Sequence, residues 1–168
     1  KREGRGLNCR FLAQVLSEMY LAMGFPSRFV TCQSKAYDTD TDCHVINMVW
    51  SRQLGKWIWM DASFAAYVTD ENGLLLHPGE VRERLIKGLP LVLNEDANWN
   101  HKTKQTKEGY LENYMAKNLY MLDAHLESQF ETEPADGSGS PRMYLVPEGF
   151  WPLSGHTTYD DRYFWQAP

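Results

Sequence analysis

An α+β domain, one helix packed on a mainly antiparallel sheet, is what the first third of this chain predicts. Three observations carry that reading. Apolar residues recur at three- and four-residue spacing through residues 8–23. Two β-branched and aromatic runs follow at 28–33 and 44–50. A third run, Trp57 to Asp61, is joined to the second by a short turn containing Gly55.

Each element has a local reason. Leu12, Val15, Leu16, Met19, Tyr20 and Met23 give the helix its apolar positions, Asn8 is its expected cap, and Gly24 with Pro26 stops it. Arg28 to Gln33 reads as a strand, and the polar stretch Ser34 to Asp42 as a loop. His44 to Trp50 is a strand almost without polar residues. Alternation puts Trp57, Trp59 and Asp61 on one face of their strand, and His44, Ile46, Met48 and Trp50 on one face of theirs. Pairing His44 with Asp61 sets Val49 opposite Lys56 across a loop of about six residues, within the hairpin range.

In the second half, Pro78 to Lys87 predicts a short helix that opens on Pro and closes at Gly88. Leu111, Tyr114, Met115, Leu119, Leu122, Leu126 and Phe130 predict one long amphipathic helix over Glu108 to Phe130. Residues 136–141 are small and flexible and read as a linker, and Met143 to Val146 as a strand. No internal repeat is visible, and residues 1–168 read as a single domain.

Composition narrows the function classes. With 43% hydrophobic and 13% aromatic residues, 168 residues are enough to bury a core. The 22 acidic and 17 basic residues leave a net charge of −5, so no domain-wide positive field attracts nucleic acid or an anionic membrane. Lys102, Lys104 and Lys107 read as a solvated face, and no apolar run approaches the roughly 20 residues of a membrane span. Asp38, Asp40 and Asp42 alternate like the start of a calcium loop but lack its Gly and distant Glu. His77, His101, His125 and His156 have no ligand spacing, so neither a metal nor a cofactor is expected. Three cysteines cannot form a complete disulfide framework. Cys32 and Cys43 bracket the loop of residues 33–42, and both a disulfide and two ordinary thiols suit that placement.

The chemistry-bearing residues are Cys9, His44 and Asp61, a thiol, an imidazole and a carboxylate at the ends of consecutive elements. A cysteine is a nucleophile only as thiolate, and its ordinary pKa of about 8.5 must be lowered to make one at neutral pH. The first turn of a helix does this through its unpaired amides and positive dipole end. An imidazolium partner lowers the thiol pKa further and can protonate a leaving amine, while a carboxylate fixes the ring. Taken singly, Cys9 reads as a small buried residue at a helix start, as most single cysteines are. Trp57 and Trp59 read first as sheet residues, the latter shielding the histidine and carboxylate; Trp99, Trp151 and Trp165 suit either the core or a groove for an extended side chain or glycan.

Four segments together carry a resemblance: Gly6 to Ala13 around Cys9, Met23 to Val30 (MGFPSRFV), Cys43-His44-Val45, and Lys56 to Asp61 (KWIWMD). In this order they resemble the transglutaminase-like superfamily, a branch of the papain-like cysteine enzymes, over about residues 6–65. The resemblance implies Cys9 as nucleophile, His44 as general base and acid, and Asp61 as the orienting carboxylate. Family members carry elements ahead of the catalytic helix, often with an oxyanion-hole side chain, so the resemblance implies an upstream segment that has been trimmed or replaced. Here eight residues precede Cys9. The Cys9 amide is one expected oxyanion donor, and Asn8, Trp59 and Trp151 are candidates for substrate or oxyanion contact.

The function so implied is thiol-dependent acyl transfer or hydrolysis at a carboxamide or peptide bond, with a peptide, protein or glycan-bearing substrate and no cofactor. The alternative is a catalytically idle member of the same fold that binds peptide or carbohydrate. The resemblance leans toward a secreted or bacterial cell-envelope setting.

Overall fold

The computed structural model describes residues 7–126, 141–150 and 156–168. Helix α1 spans Cys9–Ala22, followed by strands β1 (Ser27–Gln33), β2 (Cys43–Ser51), β3 (Lys56–Met60) and β4 (Val68–Thr69). Helix α2 (Pro78–Lys87) leads into β5 (Val92–Leu93), β6 (Asn98–Trp99) and β7 (Thr103–Lys104). A π-helix, Glu108–Met115, runs into the single turn α3 (Ala116–Asn118). Strands β8 (Met121–His125), β9 (Arg142–Leu145) and β10 (His156–Thr158) and the short α4 (Asp161–Phe164) complete the described chain.

Among the described residues the main sheet has six strands in the order β10-β9-β8-β1-β2-β3, antiparallel throughout except for the β9–β10 pair. This is the expected α+β architecture. Its register fixes which side chains meet. Cys32 lies opposite His44, and Met48 opposite Trp59. One face therefore carries Val30, Cys32, His44, Ile46, Met48, Trp57, Trp59 and Asp61, and it faces the main core with Tyr110, Leu111, Met115, Leu122 and Phe164.

Helix α1 packs on the opposite face. The buried side of the helix is small: Ala13 and Ser17. Small residues bring the helix backbone close enough for Asn47 Nδ2 to donate to the Ala13 carbonyl at 2.6 Å, while the Ser17 hydroxyl donates to Ser27 Oγ at 3.2 Å. Of the apolar positions that predict the helix, Val15, Met19 and Met23 are exposed. The periodicity is right for a helix, but polar bonds to the sheet decide which stripe is buried.

The β2–β3 register is two residues away from the expected one. Asn47 pairs with Met60 and Ser51 with Lys56, so the loop is residues 52–55. The Gly55 amide closes it onto the Ser51 carbonyl at 2.8 Å, with Gly55 at φ 61°. A two-residue slip preserves the face of every side chain, so His44 and Asp61 still share one face.

Helix α2 begins and ends as expected. His77 and Glu80 form a reciprocal cap around Pro78, and Gly88 closes the helix in the left-handed conformation. The long helix over Glu108 to Phe130 is corrected: helical structure stops at Asn118 and Met121–His125 is a strand between β1 and β9. Met121 through Ala124 are all buried. Such a run has no exposed face to reveal its period, so spacing alone cannot separate strand from helix there. Residues 127–130, most of the expected linker and Trp151 lie outside the described residues. The strand at Met143 to Val146 is observed as β9, offset by one residue.

Cys32 and Cys43 are free thiols. Register explains why: Cys32 pairs with His44 and Cys43 with Gln33, so the two cysteines point to opposite faces. Asp40 and Asp42 both pair with Lys117 Nζ, at 3.0 and 2.7 Å. No described helix is long and apolar enough to cross a membrane.

Candidate functional site

The site forms where the N-terminus of α1 meets the first turn of β2 and the end of β3. Asn8 is the N-cap, its Oδ1 accepting from the Phe11 amide at 3.0 Å. The Leu12 amide bonds the Asn8 carbonyl at 3.2 Å, so the Cys9 and Arg10 amides are the ones without a partner in the helix. Cys9 sits here half-buried, within reach of solvent. Burial pushes its thiol pKa up, but the hydrogen bond and charge of His44 and the amides of Val45 and Arg10 outweigh that and bring it below the ordinary value.

His44 is 2% exposed. Its Nε2 is 2.6 Å from Asp61 Oδ2, which leaves Nδ1 as the ring nitrogen for Cys9. Burial pulls the imidazole pKa down, yet the charge and hydrogen bond of Asp61, together with Cys9, raise it to about 9. The imidazole is thus protonated at neutral pH and the thiol beside it is acidified, each charge favouring the other. The rings of Phe64 and Tyr114 stand edge-on to His44, at centroid distances of 5.2 and 5.5 Å.

Asp61 owes its orientation to the turn that follows β3. Asp61 and Ala66 exchange backbone hydrogen bonds, at 2.8 and 3.0 Å, and close a tight loop between them. Within it, Asp61 Oδ1 accepts from the Ser63 amide at 2.8 Å and the Phe64 amide at 3.2 Å, the Asx-type bonding that favours Asp in turns. One carboxylate oxygen is thereby tied to the backbone and the other is left for His44. A second donor shares it: Tyr110 OH bonds Oδ2 at 2.6 Å. Tyr110 is fully buried, on the π-helix. Sequence reasoning missed this residue; its only mark there is a place beside the helical apolar pattern that begins at Leu111.

The remaining candidates separate. Trp59 is fully buried, its ring 6.4 Å from Tyr110, so it is core under the site and does not reach a substrate. Asn8 is committed to capping α1. A cleft of about 850 Å³ lies elsewhere, lined by residues including Arg82, Leu85, Tyr120, Leu145 and Tyr159; Cys9, His44 and Asp61 do not line it. Among the described residues no group of His, Cys, Asp and Glu is arranged to hold a metal ion.

Arg28, from the same segment as the proline turn, has a structural place. It lies over the rings of Trp57, Phe164 and Trp165 at 4.8 to 5.3 Å, and its Nη2 donates to the Phe164 carbonyl at 2.6 Å. Burial lowers its pKa to about 10. It fastens the C-terminal aromatic segment to the sheet.

No curated protein and no solved structure gives a significant match to this chain. One family model does, over residues 1–62, the span that holds Cys9, His44 and Asp61 but not Tyr110. That model describes the transglutaminase-like superfamily, and the span similar to it holds α1, β1, β2, β3 and Asp61.

Proposed function

We propose that this protein carries out thiol-dependent acyl transfer or hydrolysis at a carboxamide or peptide carbonyl, with Cys9 as nucleophile, His44 as acid and base and Asp61 as the orienting carboxylate. The observation that carries the reading is the linked pair of contacts at His44: Asp61 at 2.6 Å on Nε2 and an acidified Cys9 on the other side of the ring.

In this mechanism the Cys9 thiolate attacks the carbonyl carbon, and the oxyanion takes a hydrogen bond from the Cys9 amide at the start of α1. His44 then gives its Nδ1 proton to the departing amine as the tetrahedral intermediate collapses to a thioester. Neutral His44 next removes a proton from water or an acceptor amine, which attacks the thioester and restores the thiolate–imidazolium pair. Asp61 stays ionised throughout and holds the imidazolium in register.

Incubation with carboxamide-bearing peptides, with and without a primary amine, tests the reading through ammonia release and a thioester captured by hydroxylamine. Both signals are expected in the wild type and neither in Cys9→Ala. Turnover that survives Cys9→Ala contradicts the proposal, whereas peptide or glycan binding indifferent to that substitution and without any thioester supports the idle binding module instead.

A further inference from the structure

We propose that Tyr110 is a positioning residue of this site: its buried phenol shares Asp61 Oδ2 with His44, fixes the carboxylate and takes up part of its charge, keeping the imidazolium acidic enough to release its proton. The inference rests on the acyl-transfer reading for its purpose, though not for its test.

Geometry carries it. Asp61 Oδ1 is occupied by the Ser63 and Phe64 amides, so the turn holds one oxygen of the carboxylate and leaves the other to be placed by its own partners. Oδ2 then receives two donors at the same distance, 2.6 Å: Tyr110 OH and His44 Nε2. A carboxylate oxygen accepting one strong bond has less charge to offer a second donor. Toward Asp61 the Tyr110 hydroxyl is the donor, and burial and the Asp61 charge, which push its phenol pKa well above the ordinary value, keep it protonated. The phenol is built in rather than incidental. Its ring packs 4.6 Å from Phe64, the residue that also flanks His44, and it hangs from a π-helix, a rare backbone form that is frequent at functional sites.

A catalytic histidine tied to a buried carboxylate faces a conflict. The tie stabilises the imidazolium that forms beside the thiolate, but an imidazolium held too firmly does not protonate the leaving amine. Dividing Oδ2 between two donors lessens that hold without moving Asp61. The other titratable groups around His44 are Cys9 on α1, Cys32 opposite it on β1, Cys43 beside it in the chain and Tyr114 on the π-helix. None of these four is hydrogen-bonded to Asp61 among the described residues, whereas Tyr110 is.

The test is an NMR titration of the His44 ring nitrogens in Cys9→Ala, which removes coupled thiol ionisation, compared with Cys9→Ala/Tyr110→Phe. Loss of a hydrogen bond to a charged group predicts a rise of about one pKa unit at His44 in the second protein. Cys9→Ala/Tyr114→Phe, which alters the other ring against His44 but no bond to Asp61, is expected to titrate like Cys9→Ala. An unchanged or lower His44 pKa with Tyr110→Phe, or an equal rise with Tyr114→Phe, overturns the proposal. If Tyr110→Phe does not fold, Tyr110→3-fluorotyrosine keeps the bond and makes the donor more acidic; the His44 pKa then falls if the proposal holds, and an unchanged value contradicts it. The titration requires no turnover, so a protein that never forms a thioester loses the acyl-transfer reading while this result stands.

Discussion

His44 Nε2 and Asp61 Oδ2 meet at 2.6 Å in a region where both residues are under 5% exposed. A charge pair so buried is strongly coupled to its surroundings, and removing one partner leaves the other without compensation. Asp61→Asn keeps the shape and removes the charge. His44 then loses its main support for the protonated state, and the Cys9 thiol pKa rises in consequence. Turnover on a carboxamide substrate is expected to fall by at least about 100-fold, and alkylation of Cys9 at pH 6 to slow markedly. Steady-state kinetics and quantitative peptide mass spectrometry measure the two effects.

The same pair makes stability depend on pH with a definite sign. The folded-state pKa of His44, about 9, lies above its unfolded value near 6.5. Protonated His44 therefore stabilises the fold fully below about pH 6.5, and the contribution disappears as pH rises through about 9. Urea denaturation of wild type and His44→Gln is expected to show the largest difference at pH 6, on the order of 3 kcal/mol, and a small one at pH 10.

The three thiols differ in reach and acidity. Cys9 is half-buried and acidified, Cys43 is equally accessible but raised in pKa by burial, and Cys32 is fully buried and raised further. Iodoacetamide is expected to label Cys9 first, Cys43 more slowly and Cys32 only on unfolding. Mass spectrometry of the native protein without reductant is expected to find no Cys32–Cys43 bridge.

Asn8 acts through the backbone. Loss of its cap in Asn8→Ala is expected to cost about 1 kcal/mol, read as a fall of about 3 °C in Tm for a chain of this size.

Arg28→Lys is not expected to behave as a conservative change. A lysine cannot lie flat among Trp57, Phe164 and Trp165 while bonding the Phe164 carbonyl. A loss of about 2 kcal/mol is expected, together with faster hydrogen exchange at the Trp57 indole, whose N–H is held by the Gln166 carbonyl at 3.0 Å.

Much of the site's framework was legible because it depends on local rules. Asn8 announces a helix start, alternation puts His44 and Asp61 on matching faces, and the Gly55 turn joins their strands. The β2–β3 register was less so, since four- and six-residue loops both preserve those faces, and the observed four-residue loop is closed by the Ser51–Gly55 bond. What α1 buries is not legible in the sequence, because Ala13 and Ser17 carry little hydrophobic signal, yet their size sets the approach to Asn47. Tyr110 was invisible for a different reason. It stands 49 residues from Asp61 in sequence, and its contact is created by tertiary folding of the π-helix onto β3. The β8 strand was hidden by burial on all sides.

The most direct test of the account is the pH dependence of iodoacetamide labelling at Cys9, compared between wild type and His44→Ala. The account predicts a labelling pKa clearly below the usual value of about 8.5 in the wild type, returning to or above that value without His44. Slow labelling with an ordinary pKa in both proteins would contradict it.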